Sequence, residues 1–340
     1  MKDKEYSYNI ENIKYILIIL IVILHSRPIN QIPSGNIIYE IYRFIGVVAD
    51  IAVPAYFFLS SFLYFKNFEL NKYSHKLSNR IRTVLIPYLL WNSIMFLYYA
   101  FLNSLTVIDN LNISNDINFT LNSFLSCLLE SKAVPQLWFL KDLMIFFVFT
   151  PILFLIIKKT KSKFAQISVY LLLVCLITYF KPGYSNVLFW IPVLYLGGIC
   201  GYYYKKINCF QKKKFMDILM PLILLALSII AFISNNPNGT IYTIYRLLSP
   251  IFLLYILDCK KLDKKIINSP YVDQFFIFCS HLAIIEVYRK IILNIISYDI
   301  YLSLIGFILT IVLTLITIFI ITYILKKYFK KIYFIFTGNR

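Results

Sequence analysis

The stretch that decides the fold is IENIKYILIILIVILHS, residues 10–26. It is an apolar run with a cation near its start, Lys14, and an imidazole near its end, His25. About 20 mainly apolar residues in a helix span the roughly 30 Å hydrocarbon core of a bilayer. Eleven helical steps of about 100° bring Lys14 and His25 to one face, about 16 Å apart. The stretch therefore predicts a membrane helix that directs a cation and an imidazole toward the same interior.

Similar apolar runs fill the rest of the chain. Of its 340 residues, 60% are hydrophobic and only 15% are charged, and the mean hydropathy is +0.73. These values exclude an ordinary soluble domain. We expect one all-α transmembrane domain over residues 1–340, a polytopic integral membrane protein of about ten transmembrane helices. The predicted spans are residues 11–28, 38–65, 83–103, 136–157, 165–181, 186–204, 216–234, 241–257, 272–296 and 300–325.

Lysine and arginine are concentrated in every second loop between these spans. The positive-inside rule predicts this pattern for cytoplasmic loops. We therefore attribute the net charge of +18 to orientation in the membrane rather than to a nucleic-acid partner, and we expect both termini to be cytoplasmic. The basic loops contain Lys66, Lys72, Lys76, Arg80 and Arg82; Lys158, Lys159, Lys161 and Lys163; Lys205, Lys206, Lys212, Lys213 and Lys214; and Lys260, Lys261, Lys264 and Lys265.

The cysteines show no functional pattern. Of the six, only Cys127 falls in a predicted outside loop, and the other five lie in predicted helices or cytoplasmic segments. The sequence contains no disulfide framework and no metal-ligand spacing. We therefore expect no metal and no bound cofactor.

Several ionisable side chains fall inside the predicted spans, where each costs roughly 2.5 to 3.5 kcal/mol on insertion scales. One interpretation is that they extend to the lipid headgroups. The mixture of both signs from five helices at one level instead favours a polar, outward-open cavity for a hydroxylated acceptor such as a sugar. Asp50 and His281 lie nearer the midplane. The helical rise places the others in the outer half with His25, namely Arg43, Lys141, Asp142, Arg246, Glu286 and Arg289.

The first helix resembles that of the acyltransferase type 3 family of membrane acyltransferases. The usual form in that family is an acidic residue, two residues, Arg, ten residues and His, which matches Glu11, Lys14 and His25. Lys14 stands where the family has Arg, Glu11 where it usually has Asp, and Ser61 where it has Gly. Five further segments resemble the family in the same order: VPAYFFLSSFLYFK at 53–66, NRIRTVLIPYLLW at 79–91, QLWFLKDLMIFFVFTP at 136–151, YLGGICGYYYKK at 195–206 and FFIFCSHLAII at 275–285.

The resemblance implies a membrane O-acyltransferase that moves an acyl group, commonly acetyl, from cytoplasmic acyl-CoA to a hydroxyl of a cell-surface glycan or its lipid-linked precursor. His25 would be the general base or would carry the acyl group, with Lys14 and Glu11 beside it. Arg80 and Arg82 would bind the phosphates of the donor; the alternative is that this pair only sets orientation. The remaining candidates would line the acceptor cavity: Arg43, Asp50, Trp138, Asp142, Arg246, His281 and Glu286.

Three other functions stay open at this stage. A transporter or flippase of envelope glycan would also use an outward polar cavity, although the inverted repeats typical of transporters are not apparent. A membrane glycan polymerase would leave the cytoplasmic Arg pair without a role. An inactive family member would explain the departures at Lys14 and Ser61.

We expect the partners to be acyl-CoA, a glycan acceptor and membrane lipid. The basic and aromatic tail from Lys326 suits anionic headgroups. The high Ile, Asn and Lys usage is typical of an AT-rich bacterial genome, and we expect a multi-pass protein of the bacterial inner membrane. The sequence does not define an oligomeric state.

Overall fold

The computed structural model describes residues 2–104, 117–203, 214–259, 273–296 and 301–338, and every regular element within those ranges is a helix. This confirms the all-α prediction. The α-helices are α1 (Lys2–Ser26), α2 (Ile37–Asp50), α3 (Ala52–Phe65), α4 (Tyr73–Arg80), α5 (Ile86–Ser104), α6 (Leu121–Glu130), α7 (Trp138–Lys159), α8 (Lys163–Phe180), α9 (Val187–Tyr202), α10 (Lys214–Ser234), α11 (Thr240–Cys259), α12 (Gln274–Ile296), α13 (Leu302–Tyr328) and α14 (Lys330–Thr337).

Seven helical segments within the described ranges are long and apolar enough to cross a membrane. Helices also occupy the three other predicted spans: α9, which is apolar but has only 16 residues, α11 and α12. The count of about ten crossings and the cytoplasmic position of both termini stay predictions. The seven segments are Ile10–Gln31, Ile37–Phe65, Leu70–Ser104, Pro135–Lys159, Lys163–Phe180, Phe215–Ser234 and Leu302–Tyr328.

Two of the predicted basic loops lie largely outside the described residues. Lys205, Lys206, Lys212 and Lys213 lie outside the described residues, as do Lys260, Lys261, Lys264 and Lys265.

The second predicted span, residues 38–65, is two helices rather than one. Helix α2 ends at Asp50 and α3 begins at Ala52, with Ile51 between them. Pro54 explains the interruption, because it has no N–H for the carbonyl of Asp50 and its ring crowds that carbonyl. The break places the carboxylate of Asp50 at a helix end.

Helices α3 and α9 pack closely against each other. A Cβ atom on Gly197 would meet the carbonyl oxygen of Phe58, and one on Gly201 would meet that of Phe62. Small residues allow backbones to approach this closely within a membrane, where dispersion contacts drive helix association. Both glycines are therefore needed for the two helices to touch.

Ser61 fits into this packing although the family has glycine there. Its side chain is fully buried, and its hydroxyl donates a hydrogen bond to the carbonyl of Leu194 at 2.5 Å. Gly197 leaves the space for it, since a Cβ at 197 would lie 3.1 Å from the Cβ of Ser61. The serine therefore adds a hydrogen bond between α3 and α9.

Helix α14 is docked against the bundle. The carbonyl of Phe336 accepts a hydrogen bond from the indole of Trp91 at 3.2 Å, and Gly338, at a φ of 69°, lies against the backbone of Thr83. The hydroxyl of Tyr333 donates to the carboxylate of Asp273. Burial raises the pKa of Tyr333 well above its ordinary range, so the phenol keeps the proton that it donates.

We predict that Gly201→Leu destabilises the protein by about 1–3 kcal/mol or more, because the new side chain meets the backbone of Phe62. The measurement is thermal unfolding of the purified protein in detergent. Gly183→Leu is the matched control, since nothing lies within 4 Å of a Cβ at that position. Equal melting temperatures for the two variants would contradict the α3–α9 contact.

Candidate active site

A cavity of about 570 Å³ lies between α1, α3, α7 and the start of α12. Small-molecule sites usually have volumes of about 300–1,000 Å³. Two sets of side chains on its wall can contribute to function. The first set has four charged groups, and the second has an imidazole, an amide and an indole. The first set is Glu11, Lys14, Arg80 and Asp273, and the second is His25, Gln136 and Trp138.

The two sets lie at different depths in the bundle. On α1, Lys14 and His25 both line the wall and are about 16 Å apart along the helix axis. On α7, Trp138 and Phe147 both line it and are about 13 Å apart. The guanidinium of Arg80 packs over the ring of Phe147, 5.1 Å from its centroid. The cavity therefore extends over about half of the roughly 30 Å hydrocarbon core, with cations at one end and His25 at the other.

His25 has a second histidine behind it. The ring of His281 is fully buried on α12, and its centroid lies 5.3 Å from that of His25, with the planes tilted by 46°. The Nδ1 atom of His281 is 3.0 Å from the carbonyl oxygen of Ile277 and 2.8 Å from that of Phe278. Its Nε2 atom is buried and has no hydrogen-bond partner among the described residues.

The predicted arginine pair is divided. The two residues are at positions i and i+2, where side chains point to different sides of a helix, and residues 81–85 form a π-helical turn between α4 and α5. Arg80 lines the cavity and stacks over Tyr64 and Phe147, whereas Arg82 is exposed and is not part of the wall. Of the two, only Arg80 meets the cavity.

Lys14 and Glu11 both line the charged part of the cavity. Backbone contacts hold this part of α1 in place. The carbonyl of Glu11 accepts a hydrogen bond from the amide of Gln274 at 3.1 Å, and the carbonyl of Lys14 accepts one from the hydroxyl of Tyr56 at 2.7 Å. These two hydrogen bonds connect residues 11 and 14 of α1 to α12 and α3.

Asp50 and Arg246, both predicted to line the acceptor cavity, pair with each other instead of lining this one. The carboxylate of Asp50 is 2.6 Å from Nε of Arg246 and accepts a hydrogen bond from Tyr184 at 2.9 Å. The guanidinium lies between the rings of Tyr184 and Tyr242, 4.2 and 4.4 Å from their centroids, and donates to the carbonyl of Pro237. A buried pair with this many partners is electrostatically satisfied. It connects α2 to α11.

Arg43, Asp142 and Glu286 are also not part of the cavity wall. Arg43 binds Glu40 at 2.6 Å and the side chain of Asn235 at 2.6 Å. Asp142 is buried on α7, and its Oδ2 atom has no hydrogen-bond partner among the described residues. Of the seven residues predicted to line the acceptor cavity, Trp138 alone lines this one.

Two lining residues were missed from the sequence. Gln136 is buried, its amide donates to the carbonyl of Cys279 at 3.0 Å, and its Oε1 atom has no partner among the described residues. Asp273 caps α12 by accepting from the backbone N–H groups of Phe275 and Phe276. An acidic residue just before an apolar helix is a recognised start signal. The predicted span began at residue 272, so Asp273 was placed inside the helix rather than at its cap.

The chain belongs to the acyltransferase family whose sequence profile, described as an acyltransferase domain, matches residues 7–326. The match covers nearly the whole chain and confirms the resemblance seen in the first helix and five later segments. With the apolar helices, it supports a membrane acyltransferase. No curated protein and no solved structure matches the chain. In the part of the chain that the structure describes, no group of three or more His, Cys, Asp or Glu residues is placed to hold a metal ion.

The cavity wall and the α3–α9 contact predict opposite reactivity at two adjacent positions. With the native cysteines replaced, Ser60→Cys should react with a small thiol reagent, because residue 60 lines the cavity. Ser61→Cys should be protected, since that side chain is fully buried against α9. The measurement is the rate of modification in membrane vesicles, followed by mass spectrometry. Similar rates at the two positions would mean that the cavity is closed or that α3 is rotated.

Proposed function

We propose that this protein transfers an acyl group, commonly acetyl, from acyl-CoA to a hydroxyl of an envelope glycan, with His25 as the general base. The observation that carries the proposal is one continuous cavity with Lys14 and Arg80 at one end and His25 at the other. Acyl-CoA has a phosphate-rich head and a long, thin arm that ends in a thioester. Its head matches the charged end of the cavity, and its arm matches the distance to His25. The family supplies the reaction class.

The charged end suits the head of the donor. Arginine and lysine bind phosphate through charge-assisted hydrogen bonds. Arg80 offers a planar guanidinium, whereas Lys14 offers a compact point charge in place of the arginine that the family usually has. Two carboxylates line the same end, but Asp273 already accepts hydrogen bonds from two backbone N–H groups and from Tyr333. Its charge is therefore compensated within the protein.

The middle of the cavity suits the arm of the donor. Its wall there is mainly apolar, with Ile21, Val53, Leu59 and Leu143 among the lining residues. Apolar walls exclude water from a thioester and strengthen the electrostatic interactions at the reacting atoms. An acyl group held against this wall would reach His25 without leaving the protein.

The reaction needs one proton acceptor at the end of the arm. The neutral imidazole of His25 accepts the proton of the acceptor hydroxyl as its oxygen forms a bond to the thioester carbonyl carbon. The carbon–sulfur bond then breaks, and the leaving thiolate takes the proton from the imidazolium. General base catalysis of this kind contributes about 10² to 10⁴-fold.

The acceptor would meet the acyl group beside Trp138 and Gln136. The indole of Trp138 is half-buried and lies on an aromatic cluster that includes Trp190 and Tyr184. Flat aromatic surfaces bind the apolar faces of sugar rings, and the unpartnered Oε1 atom of Gln136 can accept a hydrogen bond from a hydroxyl. By the positive-inside rule, the Lys14 end is cytoplasmic and the His25 end is nearer the outer surface of a bacterial cell membrane.

His25→Ala should abolish acyl transfer, with a loss of at least about 100-fold, because the base is removed while an apolar helix position is easily filled. The measurement is transfer of label from radiolabelled acetyl-CoA to the glycan fraction of inverted membrane vesicles. His75→Ala is the control, since His75 is exposed on α4 and is not part of the cavity. Wild-type transfer by His25→Ala would remove the base from the mechanism, and movement of unmodified glycan would favour the transporter.

Arg80→Ala should raise the KM for acetyl-CoA about tenfold or more, which corresponds to the loss of a hydrogen bond to a charged group. Arg82→Ala is the matched control and should change the KM less than about twofold, because its side chain is exposed away from the cavity. The kcat should be similar in both variants, since donor binding is separate from the chemical step. Equal effects from the two substitutions would return the pair to a role in orientation.

A further inference from the structure

The buried Nε2 atom of His281 has no hydrogen-bond donor among the described residues. Its Nδ1 atom lies within hydrogen-bond distance of two backbone carbonyl oxygens, those of Ile277 and Phe278. Carbonyl oxygens only accept hydrogen bonds, so Nδ1 must carry the proton. The neutral ring then has a lone pair on Nε2, and that atom has no partner among the described residues. The tautomer of His281 is therefore set by its own helix.

The ring of His25 is a close neighbour of the His281 ring. The two centroids are 5.3 Å apart, and two imidazoles that share one N–H···N hydrogen bond, with nitrogens about 3 Å apart, have centroids separated by roughly 5 Å. The rings are tilted by 46°, and no hydrogen bond joins them in the structure, since Nε2 of His281 has no partner among the described residues. Because the centroids are already at the separation of a bonded pair, the proposed bond requires a change in ring orientation rather than a movement of the helices.

The two histidines are also arranged in order from the cavity. His25 lines the wall, whereas His281 is fully buried and is not part of the wall. His281 therefore lies behind His25 and not beside the substrates. A catalytic base is commonly oriented by a third group on its far side, which accepts a hydrogen bond from the second nitrogen.

We propose that His281 is a positioning residue that accepts a hydrogen bond from the distal N–H of His25 and so directs the lone pair of the other nitrogen into the cavity. The inference rests on the proposed function and adds to it. In the reaction, the His25 nitrogen that faces the cavity takes the proton of the acceptor hydroxyl, and the same nitrogen returns it to the leaving thiolate. His281 gains and loses no proton in this cycle. It keeps His25 in the one tautomer and ring orientation that can act as a base.

This role differs from the acceptor-cavity role that the sequence suggested for His281. A residue that contacted the glycan would cause a further loss when it was replaced in a protein that already lacked His25. A positioning residue changes kcat and leaves the KM for acetyl-CoA unaltered, because it acts only on the base.

The experiment compares His281→Leu and His281→Gln in the full-length protein, assayed with radiolabelled acetyl-CoA in inverted membrane vesicles. We expect His281→Leu to lower kcat about 10 to 100-fold with the KM for acetyl-CoA within about twofold of the unsubstituted protein. The amide oxygen of His281→Gln can accept the hydrogen bond, so this variant should recover a large part of kcat. Full activity of His281→Leu, or equal losses in both variants, would overturn the proposal.

Two further measurements keep the test interpretable. In the His281→Leu background, Ser60→Cys should still be modified and Ser61→Cys should still be protected. This result shows that the cavity is intact. If the cavity is lost in His281→Leu, the same comparison is made with His281→Phe, whose apolar ring is closer to histidine in shape. The double variant of His25→Ala and His281→Leu should be no slower than His25→Ala alone, because the positioning residue has nothing left to position. An additional loss in the double variant would contradict the proposal.

The result also separates this inference from the proposed function. If His25→Ala retains transfer, the proposed function fails and the positioning role fails with it. If His25→Ala is inactive while His281→Leu is fully active, only the positioning role fails.

Discussion

The contact between α3 and α9 determines where the cavity can form. Gly197 and Gly201 bring the backbone of α9 against the carbonyl oxygens of Phe58 and Phe62, and in a membrane such close packing replaces the hydrophobic effect as the force between helices. One face of α3 is thereby committed to α9. Residues 53, 56, 60 and 63, at spacings of three and four, lie on the opposite face and line the cavity. The same helix thus holds the bundle together on one side and forms the wall of the site on the other.

The sequence predicted the cavity residues on α1 better than those that other helices contribute. Lys14 and His25 lie on one helix, so the regular rise and rotation of that helix were enough to place both on one wall. Arg80 ends α4 and Arg82 lies within the π-helical turn that follows it, and side chains two residues apart point to different sides of a helix. The resemblance to the family assigned both arginines the same role, whereas in the structure Arg80 lines the cavity and Arg82 is exposed outside its wall.

The acceptor residues were harder to predict for a different reason. Depth in the membrane can be read from one helix, but the choice of partner depends on how distant helices pack. Asp50 and Arg246 are nearly 200 positions apart in the chain and form a 2.6 Å ion pair that depth alone cannot distinguish from two groups facing a common cavity. His281 shows the same limit, since its local sequence suggested a polar group near the midplane, whereas the ring beside it comes from His25 on α1, a distant part of the chain.

Helix α14 has a consequence for how this protein compares with other members of its family. The shared domain ends at residue 326, but Tyr333 lies beyond it and donates to Asp273, which caps the helix that carries His281. The residues of the proposed chemistry therefore lie in the common part of the chain, whereas one support of the charged end of the cavity comes from a segment outside it. Changes in that segment can alter the charged end of the cavity during evolution without touching the residues proposed to act on the acyl group.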